Sequence, residues 1–309
     1  MIKRLLRATV RFLLFLWAVG SFTFVLARLV PGDPVLAALG PRPRAGDIRR
    51  LRRELGLDRP LPLQYGRFAA RLAVLDLGES LIDRRPVGGL LLRRLPPTLL
   101  LAGAALAITL PFSLLLGGLS AWGRSRLWRI LEAAFAVFGL AVPVFLLGLV
   151  LILAFSLGLG LLPVSGSGGA EFLVLPAVTL SAPLSAMLVR MVRVTLRLEA
   201  GRPYVLLARA KGLTPGQVLR RHVLKNALPP IVTMAGLQTG ALLGGAIVVE
   251  NVFSWPGIGT LLVTAVRQRD FPVIQGAVLL MAAAYYLANR LVDLGCERLD
   301  PRINRGRSG

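Results

Sequence analysis

The chain contains one cysteine, Cys296, and one histidine, His222. A lone cysteine excludes an intrachain disulfide. One cysteine and one histidine also leave almost nothing for a zinc cluster or a Ser-His-Asp triad. No Gly-x4-Gly-Lys-Ser/Thr phosphate loop occurs, so this chain is not expected to hydrolyse ATP itself. Acids are scarce, with 15 Asp and Glu against 37 Lys and Arg and a formal net charge of +22. Lysine is confined to Lys3, Lys211 and Lys225; every other cation is arginine. The cations form no continuous basic face but lie between long apolar stretches, which disfavours nucleic-acid binding.

Apolar residues make up 55% of the chain and the mean hydropathy is +0.69, a composition that suits a polytopic membrane protein. A bilayer core of ~30 Å needs about 20 apolar residues in a helix. Six segments qualify: Phe12–Val30, Thr98–Trp122, Ala133–Leu157, Phe172–Val189, Leu228–Val249 and Phe271–Asn289. The first follows Lys3, Arg4, Arg7 and Arg11, the layout of a secretory signal, but no Ala-x-Ala cleavage pattern ends it; a retained helix is expected. The interiors of spans two to six contain no Asp, Glu, Lys or Arg, with Glu132 and Glu250 placed at boundaries. Ion-coupled carriers hold ionisable groups at membrane depth, so this absence argues against a secondary transporter, the alternative from another class. It argues equally against a membrane enzyme.

Charge between the spans sets the orientation. Arg124, Arg126 and Arg129 separate spans two and three. Between Arg190 and Pro230 lie Arg190, Arg193, Arg197, Arg202, Arg209, Lys211, Arg220, Arg221 and Lys225, against the single acid Glu199. The tail adds Arg290, Arg298, Arg302, Arg305 and Arg307, whereas Gly158–Glu171 has no cation. The pattern predicts both termini and the large basic loop in the cytoplasm. The arginine-rich segment 31–97 is then outside, tolerated because the charge rule weakens beyond ~60 residues. Within it Asp47 is expected to cap a short helix carrying Ile48, Leu51 and Leu55 and stopped by Gly56. A second helix, from Leu63 to about Leu75, carries Tyr65, Phe68, Leu72 and Leu75. These helices read as amphipathic elements lying on the leaflet, as a docking surface for a soluble partner, or as both. The organisation expected is 1–30 as N-terminal segment and first span, 31–97 as outer segment, 98–290 as five-helix core with the loop 190–228, and 291–309 as tail.

Two local patterns stand out. In span five Gly236, Gly240 and Gly244 recur every four residues, a ridge for close helix approach within the chain or against a second subunit. Gln238 and Thr239 lie beside it and either line a polar pathway or bond to a neighbouring helix. In the basic loop, Pro203 suits the first turn of a helix that runs to Lys211, with Ala208 and Ala210 near its end. Gly212 permits a turn that costs other residues energy, and Thr214, Pro215 and Gln217 spell a capping box. Small residues near the break would let the first helix sit in a partner's groove; otherwise the loop is a basic surface attracted to anionic lipid.

The ordered run Tyr204, Ala208-Arg209-Ala210-Lys211-Gly212-Leu213, then His222-x-Leu224-Lys225-Asn226-Ala227, resembles the cytoplasmic loop of the dipeptide/oligopeptide/nickel permease family of bacterial ATP-binding-cassette (ABC) importers. The likeness extends along the chain. Pro31-Gly32-Asp33-Pro34, Leu55-Gly56-Leu57-Asp58-Arg59-Pro60-Leu61 and Gln64-Tyr65 follow the subunit with the long first outer loop. So do Arg84-Arg85-Pro86-Val87, Arg94-Leu95-Pro96-Pro97-Thr98 and Val252-Phe253-Ser254-Trp255-Pro256-Gly257-Ile258-Gly259. Asn289-Arg290-Leu291-Val292-Asp293 and Leu299-Asp300-Pro301-Arg302 match its tail. The resemblance implies an all-α type I importer permease fold with six transmembrane helices in the inner membrane. It implies a second homologous permease subunit, two ABC ATPase subunits and an outer solute-binding protein as partners, besides membrane lipid. ATP and Mg would be used by the ATPases, with no cofactor or metal on this chain. It further implies that the helix before Gly212 couples to an ATPase. Leu206 stands where the general signature has Glu, Leu207 where it has Ala, and Arg202-Pro203 where an acid is common. The cargo class stays open among dipeptides, oligopeptides, nickel chelates, glutathione and sugars.

Overall fold

The computed structural model describes residues 2–29, 34–39, 43–123 and 125–299, and among these the only pairing of the strand type is one isolated bridge, Glu79 to Pro86. The motif residues 31–33 and 300–302, with Arg124, Arg305 and Arg307, lie outside the described residues. The helices are α1 (Ile2–Leu29), α2 (Pro34–Leu39), α3 (Ala45–Leu55), α4 (Leu61–Ala73), α5 (Val87–Trp122), α6 (Arg126–Ala141), α7 (Val144–Leu151), α8 (Glu171–Ala200), α9 (Pro203–Ala210), α10 (Pro215–Val218), α11 (Leu224–Val252), α12 (Ile258–Gln268) and α13 (Phe271–Leu299). A π-helical stretch, Ile152–Gly158, prolongs α7, and another, Leu219–Val223, joins α10 to α11. Helices dominate because a backbone in hydrocarbon must satisfy its own N–H and C=O groups.

Four helices are long and apolar enough to cross a membrane: Leu6–Leu29, Val87–Trp122, Glu171–Ala200 and Phe271–Val292. The third and fifth expected spans differ from straight helices. Ala133–Leu157 is broken at Val142-Pro143, where extended backbone separates α6 from α7 and the pair bends by 109°. The cause is local: the proline disfavours helical backbone at Val142 and starts a new helix itself. The second bent pair, Pro215–Gly240 with Leu242–Val252, turns by 51°, and with both pairs counted the spans number six. Pro229 and Pro230 lie inside α11 rather than leading into it. Glu132, in the second turn of α6, and Glu250, in the last turn of α11, are both fully buried.

The chain divides into two compact units. One comprises the described residues up to Thr98 with Pro256–Tyr286, the other Leu99–Trp255 with the described residues from Leu287 onward. In the first, Val87, Leu91, Ile258, Ala265, Val273 and Ala277 form a buried cluster. The apolar face of α4 turns onto α1 rather than outward. Tyr65 and Phe68 place their rings 5.4 and 5.2 Å from Phe24, and the Tyr65 hydroxyl lies 2.8 Å from Ser21 Oγ. Arg28 lies 3.3 Å over the Phe24 ring and donates to Gln64 Oε1 at 2.9 Å. On α3 the N-cap is Arg44, with Asp47 in the first turn, where its charge still favours the helix N-terminus. Gly56 closes α3 in the left-handed conformation expected of it, φ 65°.

The second unit is organised by α8, whose membrane-length window is 61% buried against 22% for α5. Small residues let its neighbours approach. A Cβ at Gly139 of α6 would lie 2.7 Å from Ala186 Cβ, and one at Gly117 of α5 would lie 2.7 Å from the Val189 carbonyl oxygen. Between the same helices Thr109 and Ser113 donate to the carbonyls of Ser181 and Ser185, each at 3.4 Å. Leu101, Leu175, Leu180, Leu242, Phe253 and Trp255 fill the core beside them.

Gly117 and its neighbour Gly118 give a paired test. Gly117→Ala forces a methyl against backbone and should lower stability by about 1–3 kcal/mol. Gly118 has no atom within 4 Å of a Cβ, so Gly118→Ala should be neutral or stabilising by up to about 1 kcal/mol. Thermal unfolding of the two variants in detergent measures the difference.

Candidate functional site

The basic segment is a rigid module. Helix α9 begins with Pro203 in its first turn after an extended Arg202. Its inner positions, Val205 and Ala208, are buried with Leu188, Val192 and Leu196 of α8 and with Val218, Val223, Ala227 and Ile231 beyond the turn. Val205 and Ala208 lie about one turn apart on one face, so the intervening Leu206 and Leu207 point away, 62% and 58% exposed. Arg209, Ala210, Lys211 and Gly212 are exposed too.

Both sides of the turn are capped. Gly212 adopts φ 84° with nothing within 4 Å of where a Cβ would be, so its requirement is conformational, not steric. The Gly212 N–H donates to the Arg209 carbonyl at 2.9 Å and the Leu213 N–H to that of Ala208 at 3.4 Å, the paired bonds of a Schellman end. Thr214 and Gln217 then form the reciprocal capping box, with Thr214 N to Gln217 Oε1 at 3.0 Å and Gln217 N to Thr214 Oγ1 at 3.4 Å. The π-helical stretch that follows buries Val223 and leaves Arg220 and Arg221 exposed, with His222 half-buried.

Polar contacts fasten the module to the ends of α5 and α8, and α8 in turn to α5 and α6. The Tyr204 hydroxyl donates to Glu199 Oε2 at 2.7 Å, and Arg202 pairs with Glu199 at 3.6 Å. Burial raises the Tyr204 pKa above its usual value, and donation to Glu199 raises it further. Asn226 of α11 lies close enough to the Tyr204 hydroxyl to lower its pKa, against these larger effects. Arg209 lies 5.8 Å from the Trp122 ring, and Arg197 donates to the Ser120 carbonyl at 3.4 Å. Arg193 pairs with buried Glu132 at 3.0 Å, close in distance though off the hydrogen-bonding direction. Arg190, Arg193 and Arg197 therefore belong to the continuation of α8 and not to a loop.

The structure sorts the expected site residues. Tyr204 and Ala208 face the chain's own core or its clasp; Arg209, Ala210, Lys211 and Gly212 face outward, and Asn226 is exposed beside Tyr204. Ala208, expected in a partner's groove, is 4% exposed because α8 and α11 already cover it. The span-five glycines do not form one uniform face. Gly236 packs against Val292 of α13, Gly240 is buried, and Gly244 is exposed with open space around it. Gln238 Nε2 contacts Met187 Sδ, while Thr239 Oγ1 bonds within its own helix to Ala235 O at 3.2 Å. The bracing groups Glu199, Trp122 and Glu132 escaped sequence reasoning. The one available signal was Glu199, the only acid in a strongly cationic run.

A multi-span helical protein with a braced basic helix–glycine–helix between two spans has the build of a transport permease. The family described as "Binding-protein-dependent transport system inner membrane component" matches residues 113–305, and the family described as "Binding-prot-dependent transport system membrane comp, N-term" matches residues 1–102. The glutathione transport system permease protein GsiC of Escherichia coli (strain K12) is 39% identical over 288 residues, 93% of this chain and 94% of that protein. GsiC of Pectobacterium atrosepticum is 41% identical over 280 residues, 91% of this chain and 92% of its own. A chain of the MetNI methionine ABC transporter, solved in inward-facing conformations, has a TM-score of 0.55 at 20% identity, covering 68% of this chain and 96% of that one; it shows the shared fold. The chain belongs to the binding-protein-dependent transport system inner membrane component family. It is a multi-pass inner-membrane permease subunit of an ABC importer.

Tyr204→Phe tests the clasp. Loss of a hydrogen bond to a charged acceptor should cost about 1.5–3 kcal/mol at neutral pH. Because folding raises the Tyr204 pKa, the stabilisation is full below the ordinary value near 10 and is lost as pH rises through the raised one. Alkaline unfolding curves should fall more steeply for the unsubstituted protein than for Tyr204→Phe.

Proposed function

We propose that this chain forms half of the translocation pathway for di- or oligopeptides or related small solutes, glutathione among them, and that α9 is the element an ATPase subunit moves. The observation carrying this reading is the exposed Leu206–Leu207 pair on a helix whose other face is fixed to α8 and α11. Two neighbouring leucines at that exposure, flanked by Arg209 and Lys211, suit a partner's apolar cleft with an acidic rim. The substrate class is supported by the glutathione permeases that the chain resembles over nearly its full length.

In the assembly proposed, a second homologous permease completes the pathway. Two ATPase subunits bind and hydrolyse ATP with Mg on the cytoplasmic side, where both termini and the module also lie. A solute-binding protein delivers cargo outside. This chain would supply no catalytic group, cofactor or metal. Closure of the ATPases would displace α9, and the braced module would pass that displacement to α8 and α11, changing which side the pathway opens to. Such work requires that the ATPases contact α9 differently in their two states. Arg209, Ala210, Lys211, Arg220 and Arg221 would form the rim of the contact, with His222 and Asn226 behind it.

Three measurements test this. A cysteine at Leu206 should crosslink to an ATPase subunit in the assembled complex, whereas one at Ala208, buried, should not; capture of lipid alone at Leu206 would sink the docking reading. Replacing Leu206 and Leu207 together by Ala should weaken ATPase association about 10- to 100-fold, from ~1.5–3 kcal/mol per fully buried leucine discounted for partial burial. In reconstituted vesicles Gly212→Val should leave ATP hydrolysis running with uptake reduced, because a β-branched residue strains a left-handed turn by about 1–3 kcal/mol. Gly212→Asn, which tolerates that conformation, should couple better than Gly212→Val. Equal coupling by both variants and the unsubstituted protein would refute the mechanical role of the turn.

A further inference from the structure

A polar cavity lies apart from the module, in the unit that contains α1–α4 and α12. It measures about 200 Å³, and Asp83, Arg94, Thr260, Thr264, Gln268 and Asp270 line it. The charge pattern assigns these residues to the outer side of the membrane.

Its walls are fixed by bonds that a surface dent would not need. Asp270 is 2% exposed, and its carboxylate accepts from Ser80 Oγ and from the Leu81 N–H at 3.2 Å. Ser80 Oγ in turn accepts from the Asp83 N–H at 2.9 Å, which sets the turn that carries Asp83. On the opposite wall the Ile258 N–H donates to Thr98 Oγ1 at 2.8 Å, tying the start of α12 to α5 one turn beyond Arg94. Backbone strain sits beside the lining. Arg84, next to Asp83, has φ 54°, and Arg269, between Gln268 and Asp270, has φ 57°. Non-glycine residues persist in that region where their surroundings over-determine them, and they gather at ligand sites. Two opposite charges complete the lining. Among the described residues no ion pair or hydrogen bond ends on the Asp83 carboxylate or the Arg94 guanidinium.

We propose that this cavity binds both ionised groups of a short zwitterionic solute, its ammonium at Asp83 and its carboxylate at Arg94. Opposite charges that line one cavity without pairing with each other favour a ligand that carries both signs; a sugar would leave both unpaired. The Arg94 fork matches a carboxylate geometrically. Asp270 deepens the negative potential on the ammonium side, and Thr260, Thr264 and Gln268 offer hydrogen-bonding groups. At about 200 Å³ the cavity is smaller than the ~300–1,000 Å³ of sites that enclose whole small ligands, so it takes the two charged groups of a short zwitterion and leaves the side chains outside. The inference rests on the peptide-like substrate class proposed above and adds a place within the permease where that class is read.

The test uses the assembled complex in lipid nanodiscs without its solute-binding protein. Glycylglycine, glutathione, alanine, N-acetyl-glycylglycine, glycylglycine amide and maltose are titrated by calorimetry. A free zwitterion should bind, each cap should weaken it at least tenfold, and maltose should give no heat. Asp83→Asn should erase discrimination against the N-acetyl form, and Arg94→Gln discrimination against the amide. The capped ligands are compared on the unsubstituted complex, so the test stands even where a variant fails to assemble. Absence of binding by all three free zwitterions, or binding indifferent to the caps, overturns the proposal. So does a result in which the variants bind zwitterions normally but lose affinity for the solute-binding protein, which would make the cavity a protein socket. Vesicle uptake separates the two readings: a complex that imports no peptide removes the substrate class, while cap-sensitive binding of alanine would leave the site standing.

Discussion

The close approach of α5, α6 and α11 to α8 is the constraint on which the larger unit rests. In hydrocarbon, helices gain little from hiding apolar surface, because lipid tails are as apolar as leucine. Association depends instead on backbone proximity and on polar groups that find partners across the contact. Here Gly117, Gly139 and Gly245 supply the proximity, and Thr109, Ser113, Ser181 and Ser185 supply the hydrogen bonds. Where α8 runs beyond the apolar stretch, its small residues give way to Arg193, Arg197 and Glu199, which grip Glu132, the Ser120 carbonyl and Tyr204. One helix is thus held by two chemistries along its length.

That change of chemistry places the module at the end of the most buried helix. A loop tethered at two points would absorb a push by bending. Helix α9 instead has an apolar underside, a clasp through Tyr204, and caps on both sides of its turn. Few soft torsions remain between Leu206 and the body of α8. The buried charges belong to the same logic: Glu132 is retained within an apolar helix and matched to Arg193, which fixes the rotation of α6 against α8. Removing one member of such a pair costs more than the pair itself contributes, because the survivor stays buried.

Much of this was legible where physics is local. Gly212, Thr214 and Gln217 announced a left-handed turn and a capping box, since both depend only on residues a few positions apart. Gly56 announced a helix stop for the same reason. Apolar runs announced the spans because bilayer thickness is a fixed length. What was not legible depends on partners distant in the chain. Ala208 reads as the groove contact and Leu206 only as a departure from the signature until α8 and α11 reveal which face of α9 is already covered. Tyr65, Phe68 and Leu72 read as a surface stripe until Phe24 and Gly20 of α1 are found beneath them. The break in the third span is a different case, because Pro143 was in plain view and a long apolar run outweighed it. The glycine ridge of span five likewise separates into Gly236 against Val292 and Gly244 in the open, a division no spacing rule contains.

The π-helical stretch at Leu219–Val223 carries a consequence for how such chains vary. It holds about one residue more per turn than the flanking helices, and the wider turn absorbs that surplus. Deleting a single residue there would let the backbone relax into ordinary helix with its hydrogen bonds intact. Because the wide turn already absorbs the rotation of its extra residue, α10 and α11 would keep nearly the same phase. The same deletion a few residues into α11, where no surplus exists, would turn everything upstream by about 100°. The stretch is therefore the one place between α9 and α11 where the chain can lose a residue without turning Leu206 and Leu207 away from their outward face, a constraint on counting rather than on chemistry.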